Sequence, residues 1–214
     1  EVAVEEGALR FTAPLATGQK TGWFYDQAAN RRALAKYAGG ARVLDVFSYA
    51  GGWGVAAAAA GAREVTCVDA SAAALAAVER NAAANGVAVR TLKGDAFDAL
   101  GELHKGGERY DVVTLDPPAF IKRKKQVPKG EAAYRRLNQL GLQLLGRDGI
   151  LVSCSCSYHL APEALVGVIQ KAARHTSRFA QVLEAGGQGP DHPVHPAIPE
   201  TRYLKAFFCR VTRE

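Results

Sequence analysis

The chain has no methionine and only four cysteines, shows no internal repeat, and never runs apolar for long. None of its apolar stretches approaches the ~20 residues a membrane-spanning helix requires. No charged-then-apolar leader opens it either, so a soluble, cytoplasmic protein with no membrane partner is the expectation. Cys67, Cys154, Cys156 and Cys209 are not spaced as a metal site. Cys154 and Cys156 lie too close along one extended segment for a structural disulfide, and reduced thiols suit a reducing compartment. His192 and His195 have proline between them and no third ligand in sight, so no metal is expected. Because the chain opens on Glu1 and holds no methionine, we expect an upstream segment to precede it.

What is present suits one domain. At 214 residues, 48% of them apolar, the chain can close around a substantial core without disulfide or metal staples. Its formal charge of +6 is unevenly spread: Lys122, Arg123, Lys124 and Lys125 form a run that Lys129, Arg135 and Arg136 reinforce. Such a cluster can neutralise several phosphates of a polyanion, or be no more than a solvated loop.

From Gly40 onward, short β-branched runs alternate with Ala-rich stretches, the signature of βαβ units and a parallel sheet. Strands are predicted at 42–47, 64–69, 89–93, 110–116, 149–154, 180–184 and 204–211. Helices are predicted at 26–37, 56–60, 72–85, 96–103, 131–145 and 162–175, with Ser71 as an N-cap and Gly86 as a stop. The last two strands follow one another without a helix, joined by the Gly/Pro-rich segment 186–199. That predicts an antiparallel hairpin at the edge of the sheet. The expected fold is α/β and Rossmann-like, a mostly parallel seven-stranded sheet with helices on both faces. Residues 2–15 read as a short β-hairpin, so we divide the chain into a hairpin and linker at 1–22 and a main domain at 23–214.

The first strand of that sheet, Val43-Leu44-Asp45-Val46-Phe47, opens into Ser48-Tyr49-Ala50-Gly51-Gly52-Trp53-Gly54 ahead of an Ala-rich helix. Glycines let the backbone approach a ligand closely, and a helix N-terminus favours a carboxylate. A tight turn needs the same glycines, so the second strand discriminates. It ends in Val68-Asp69, 18 residues beyond Gly51, where an acidic side chain can accept from ribose hydroxyls. The third strand leads to Gly94-Asp95, placed to read an adenine edge. The loop does not spell Gly-x-Gly-x-x-Gly, and Asp45 lies within the strand, which suits a cationic ligand better than a pyrophosphate. S-adenosylmethionine carries that cation. The constellation points to a class I methyltransferase rather than a dinucleotide enzyme or a scaffold that binds nothing.

Gly149 to Ser157 reads as a buried strand ending in thiols, where an open parallel sheet keeps its ligands. Cys154 is read as core packing and Cys156, beside the loop, as a candidate nucleophile. The fourth strand ends in Asp116-Pro117-Pro118-Ala119-Phe120. Asp116 can hydrogen-bond a base and Phe120 can stack on one, or the prolines mark only a strand-ending turn. Tyr203 and Lys205 are read as lying near RNA, or as part of an edge strand with snorkelling cations.

Six stretches match one known family in order and spacing across nearly the whole chain. They are Gly18-Gln19-Lys20-Thr21-Gly22, Asp45-Val46-Phe47-Ser48-Tyr49-Ala50-Gly51-Gly52, Val68-Asp69-Ala70-Ser71, Leu115-Asp116-Pro117-Pro118-Ala119-Phe120, Ser155-Cys156-Ser157 and Asp191-His192-Pro193-Val194. The chain resembles the bacterial 23S rRNA cytosine-5 methyltransferases of the large-subunit type. The resemblance implies methyl transfer from S-adenosylmethionine to C5 of a cytosine through a covalent adduct of Cys156 with C6, with Asp116 as its catalytic partner. It implies a cofactor site at Gln27, Asp45, Phe47, Tyr49, Ala50, Gly51 and Gly52, continued by Asp69, Ala70, Ser71, Gly94, Asp95, Ala96, Asp116 and Pro117. It implies ribosomal RNA as partner, free or as a particle, met by Lys20, Phe120, Lys122, Arg123, Lys124, Lys125 and Tyr203; a homodimer is left open.

Members of that family carry an N-terminal RNA-binding domain of the PUA type, and the early hairpin is expected to be the tail of the segment joining it. Two departures stand out. Ala28-Ala29 follow Asp26-Gln27 where the family places an arginine, which removes a contact to cofactor or RNA. Ala119 stands where the better-known RNA cytosine-5 enzymes have a second cysteine for product release, so the release base comes from elsewhere. Methylation of an exocyclic amine or another base position, and an RNA-binding module without catalysis, are the alternatives.

Overall fold

The computed structural model describes residues 2–13 and 22–213. Strands β1 (Val2–Glu6) and β2 (Leu9–Ala13) form the expected antiparallel hairpin; residues 14 and 15 of the predicted span, and Lys20, lie outside the described residues. The main sheet comprises β3 (Arg42–Val46), β4 (Glu64–Asp69), β5 (Arg90–Lys93), β6 (Tyr110–Leu115), β7 (Leu145–Ser155), β8 (Arg178–Gly186) and β9 (Lys205–Arg213), in the order β5-β4-β3-β6-β7-β9-β8. Pairs from β5 to β7 are parallel, and β9 runs antiparallel to both β7 and β8.

The C-terminal hairpin is thus present, with β9 inserted between β7 and β8. This corrects the reading of Lys205 as an edge-strand cation that snorkels. The edge belongs to β8, which exposes Phe179, Val182 and Leu183, while Lys205 through Cys209 are all buried.

Period-two alternation explains which helices cover which face. Val43 of β3 and Val112 of β6 pack with Leu34, Trp53 and Leu75, from α1 (Ala28–Ala38), α2 (Gly52–Ala59) and α3 (Ala72–Ala84). Their neighbours Leu44, Val46, Val113 and Leu115 pack with Leu100, Leu137 and Leu165, from α4 (Ala96–Lys105), α5 (Val127–Leu144) and α6 (Pro162–His175). Ser71 caps α3 by accepting from the Ala74 N–H, and Gly86 follows that helix at φ +66°.

Two helices begin earlier than their sequence suggested. Gly51, at φ +85°, turns the chain directly into α2, so glycines read as loop form its first turn. Helix α5 starts at Val127 and takes Pro128 into its first turn, where the missing N–H has no intrahelical acceptor to lose.

The hairpin is anchored to the main domain. Val4, Phe11 and Ala13 pack with Trp23, Ala50 and Val55. Asn81 on α3 accepts from the Thr12 N–H at 2.7 Å, and Asn85 exchanges bonds with both backbone groups of Arg10 at 2.9 and 2.6 Å.

Candidate active site

Between β3 and β6 the strand order reverses direction, and a crevice opens beyond the carboxyl ends at such a switch point. The loop after β3 is held in an unusual shape there. Phe47 (φ 64°), Tyr49 (φ 48°) and Gly51 (φ 85°) all have left-handed backbones, a conformation that side-chain-bearing residues rarely adopt and that clusters at ligand sites. The Ser48 N–H donates to Val68 O at 3.0 Å, and Asn81 donates to Ala50 O at 2.8 Å. Asp69, at the end of β4, accepts from the N–H groups of Tyr49 and Ser71 at 2.9 Å each.

Asp45 lies wholly beneath this loop. Its Oδ2 accepts from the Gly54 N–H at 2.9 Å and its Oδ1 from the hydroxyl of its cross-strand partner Thr114 at 3.0 Å. Burial, with the charges of Asp116 and Asp69 adding to it, pushes its carboxyl up to about 7. Gly94 leads to Asp95, whose carboxylate caps α4 by accepting from Phe97 N at 2.8 Å, ahead of buried Ala96.

A buried relay crosses the site. Asn30 donates to Gly187 O at 3.0 Å and to Gln27 Oε1 at 2.6 Å; Gln27 donates to Asp116 Oδ1 at 2.9 Å, and the indole of Trp53 donates to Asp116 Oδ2 at 2.9 Å. Burial raises the Asp116 carboxyl to about 6 against the lowering effect of those donors and of Arg31. Arg31 itself is buried over the Trp23 ring, and its Nε donates to Glu6 Oε1 at 2.7 Å. At the family departure after Gln27, the structure therefore has an arginine four residues on, tying β1 to the site.

Cys156 follows the last residue of β7 and is half-buried, whereas Cys67, Cys154 and Cys209 are at most 1% exposed. Its flanking serines are pinned: Ser155 donates to Tyr134 at 2.9 Å, and Ser157 Oγ lies 2.9 Å from the same phenol and accepts from the Ile121 N–H at 3.1 Å. Lys205 donates to Ser157 O at 2.6 Å. Tyr203 donates to Asp26 Oδ2 at 2.7 Å, while Asp26 Oδ1 is buried with no hydrogen-bond partner among the described residues.

The structure therefore brings Asp116, Gln27, Cys156 and Tyr203 together with the loop residues. Phe120 is half-buried among Phe47, Phe97 and Tyr134, and Pro117 is buried beside Asp116. Lys122, Arg123, Lys124 and Lys125 are exposed on the segment leading from Phe120 into α5. Sequence reasoning missed Trp53, Asn30, Asn81 and Asp26. A signal existed for Asn81: an asparagine inside an Ala-rich helix has poor helix propensity and calls for a partner elsewhere.

The profile of a family described as S-adenosylmethionine-dependent methyltransferase matches residues 2–210. The chain belongs to that family. The match begins inside the early hairpin. Among curated relatives, "Ribosomal RNA large subunit methyltransferase I" of Aeromonas salmonicida is 38% identical over 98% of this chain and 54% of its own length. "Ribosomal RNA large subunit methyltransferase" of Deinococcus radiodurans is 40% identical over 98% and 52%. The chain thus spans about half the length of the curated relatives it matches. The crystal structure of SMU.776 complexed with SAH superposes with a TM-score of 0.86 at 26% identity, covering 98% of this chain and 55% of that one.

The site residues fit the family's cofactor. A Cβ on Gly51 would come within 3.1 Å of Val78, and one on Gly52 within 3.1 Å of Arg31, so packing against α3 and α1 keeps this turn of the loop free of side chains. Ser48 Oγ is buried without a partner among the described residues, a hydroxyl left over beside that backbone. Carboxylates at Asp69 and Asp116 suit a ligand carrying a sulfonium and an amino group.

Proposed function

We propose that this protein methylates C5 of a cytosine in large-subunit ribosomal RNA. The observation that carries the reading is that Cys156 is the one half-buried thiol of the four and follows the carboxyl end of β7, the strand beside β6, whose end leads into Asp116. The relatives' names supply the class of RNA, and the resemblance of Ser155-Cys156-Ser157 to the cytosine-5 enzymes supplies the base and the atom. The exposed basic run beside the Asp116 loop supports a polyanionic substrate.

Bound S-adenosylmethionine supplies an electrophilic methyl group on its sulfonium. Gln27, the loop from Phe47 to Gly52, Asp69 with Ala70 and Ser71, Gly94 to Ala96, and Asp116 with Pro117 would hold it, with Asp45 tying the loop down from below. The chain's own chemistry begins with the thiolate of Cys156 adding to C6 of cytosine, which makes C5 enamine-like and nucleophilic. Asp116, fixed by Trp53 and Gln27, accepts from the base and holds it in the plane of attack. Once C5 carries the methyl, solvent takes the C5 proton, its electron pair re-forms the C5=C6 bond, and the C6–S bond breaks to return the Cys156 thiolate.

The test is incubation of 23S rRNA with methyl-labelled cofactor, followed by mass spectrometry of nucleosides, for wild type and Cys156→Ala. Labelled 5-methylcytidine that disappears in the variant is the expected result. A labelled exocyclic amine, insensitive to the substitution, would replace this reading with amine methylation, and RNA binding without label would replace it with a binding module.

A further inference from the structure

We propose that Lys205 is a positioning residue that holds Cys156 as its thiolate, presenting a buried ammonium to it from the neighbouring strand. Its use in methylation rests on the reading above; the thiolate itself does not. The antiparallel register pairs Ser155 with Lys205 and Cys154 with Ala206, so the lysine stands beside the end of β7 just where Cys156 leaves the sheet. Lys205 is 5% exposed, and its Nζ donates to the carbonyl of Ser157, the residue after Cys156.

A lysine normally extends its charge to water, and a buried ammonium without an anion is costly. Among the described residues no carboxylate forms an ion pair with Lys205; its hydrogen bond goes to a neutral carbonyl. The chain has therefore placed a desolvated cation against the one accessible thiol. Burial pushes Lys205 down to about 8, and the charge of Cys156 opposes that shift, so each charge favours the other.

The neutral and acidic groups near the thiol, among the described residues, cannot substitute. Tyr134 on α5 and Tyr203 ahead of β9 are phenols pushed upward, chiefly by burial, and stay neutral near pH 7. Cys154, on β7, is buried and pushed well above its ordinary value. Asp116 beyond β6 acts on the adjoining Cys154, and Asp26 ahead of α1 and Asp191 act on Tyr203; their charge is of the sign that disfavours a thiolate. Among these described groups, Lys205 is the cation on which Cys156 acts. A cation beside a cysteine lowers the thiol's pKa and raises the fraction in the nucleophilic form; the thiol proton goes to solvent and Lys205 keeps its own.

The experiment is the rate of Cys156 alkylation by iodoacetamide from pH 5 to 10, read by peptide mass spectrometry on the cofactor-free chain. The three buried thiols serve as internal controls. In wild type the midpoint should fall below the ~8.5 of an ordinary thiol. Lys205→Met should raise that midpoint by at least about one unit and slow alkylation at pH 7 about tenfold, while Lys205→Arg should retain most of the wild-type profile. A wild-type midpoint at or above the ordinary value overturns the proposal, as does a folded Lys205→Met whose profile is unchanged. If Lys205→Met does not fold, the wild-type midpoint and Lys205→Arg decide it. A Cys156→Ala enzyme that still forms 5-methylcytidine would sink the proposed reaction and leave this alkylation profile untouched, so the two failures are separable.

Discussion

The indole N–H of Trp53 reaches Oδ2 of Asp116 at 2.9 Å, joining the first turn of α2 to the end of β6 across 63 positions of sequence. This bond and the one from Gln27 stabilise the ionised carboxylate against the burial that raises it to about 6. Trp53→Phe removes one of the two donors and keeps an aromatic ring. We expect a loss of about 1–3 kcal/mol in urea unfolding. Under the proposed mechanism the acidic limb of the pH–rate profile, where activity falls as Asp116 protonates, should also move to higher pH. An unchanged limb together with unchanged stability would mean the indole only fills space.

Asp45 makes a stability prediction of defined sign. Its folded-state value of about 7 lies above the ~3.9 of an unfolded aspartate, so the folded chain holds a proton that the unfolded chain releases. The stabilisation is full below about pH 4 and is lost as pH rises through 7. Asp116, raised to about 6, acts in the same direction. Glu64, Asp148 and Glu184, lowered chiefly by hydrogen bonds from Arg42, Arg210 and Lys36, act the opposite way at acid pH. Asp45→Asn keeps an acceptor for Gly54 N and removes the titration. Its Tm should exceed that of wild type at pH 8, with a flatter profile between pH 5 and 8. Cofactor affinity measured in parallel separates a loop tether from a direct cofactor contact: only the latter predicts a marked loss.

The close approach of α2 to β4 depends on Gly54. A Cβ there would lie 2.3 Å from Cys67 Sγ and 3.1 Å from Asp45 Oδ2. Gly54→Ala should cost about 1–3 kcal/mol through overpacking, despite alanine's better helix propensity. Adding Cys67→Ala removes the sulfur and should recover part of that loss. Additive destabilisation in the double variant, measured by chemical denaturation, would place the strain elsewhere.

The alternation of strands and helices and the antiparallel C-terminal hairpin were legible because each is written locally. Strands 64–69 and 110–115 carry short β-branched runs, Val65-Thr66-Cys67-Val68 and Val112-Val113-Thr114, and Asp69 ends its strand at a countable distance from Gly51. The relay through Asn30, Gln27, Asp116 and Trp53 was not legible, since its bonds join residues up to 157 positions apart. Lys205 was misjudged for a related reason: whether a lysine in an apolar strand is exposed depends on which strand forms the edge. A hairpin was predictable, but not the insertion of β9 between β7 and β8.

Asn81 and Asn85 offer a matched pair for asking what the hairpin does for the site. Both anchor it to α3, but only Asn81 also bonds the cofactor loop, at Ala50 O. Asn81→Ala leaves the buried Ala50 carbonyl and the Thr12 N–H without these partners, at about 1–3 kcal/mol for each group that finds no water. The loop it releases contains two non-glycine residues at positive φ, a shape that persists only while its surroundings impose it. Asn81→Ala should therefore weaken S-adenosylmethionine binding about tenfold by calorimetry, equivalent to about 1.4 kcal/mol. Asn85→Ala, lying at the exposed end of the same contact, should lower Tm slightly and leave cofactor affinity near wild type. Equal losses of affinity in both variants would show that docking of the whole hairpin, rather than the Asn81–Ala50 bond, holds the loop in its binding shape.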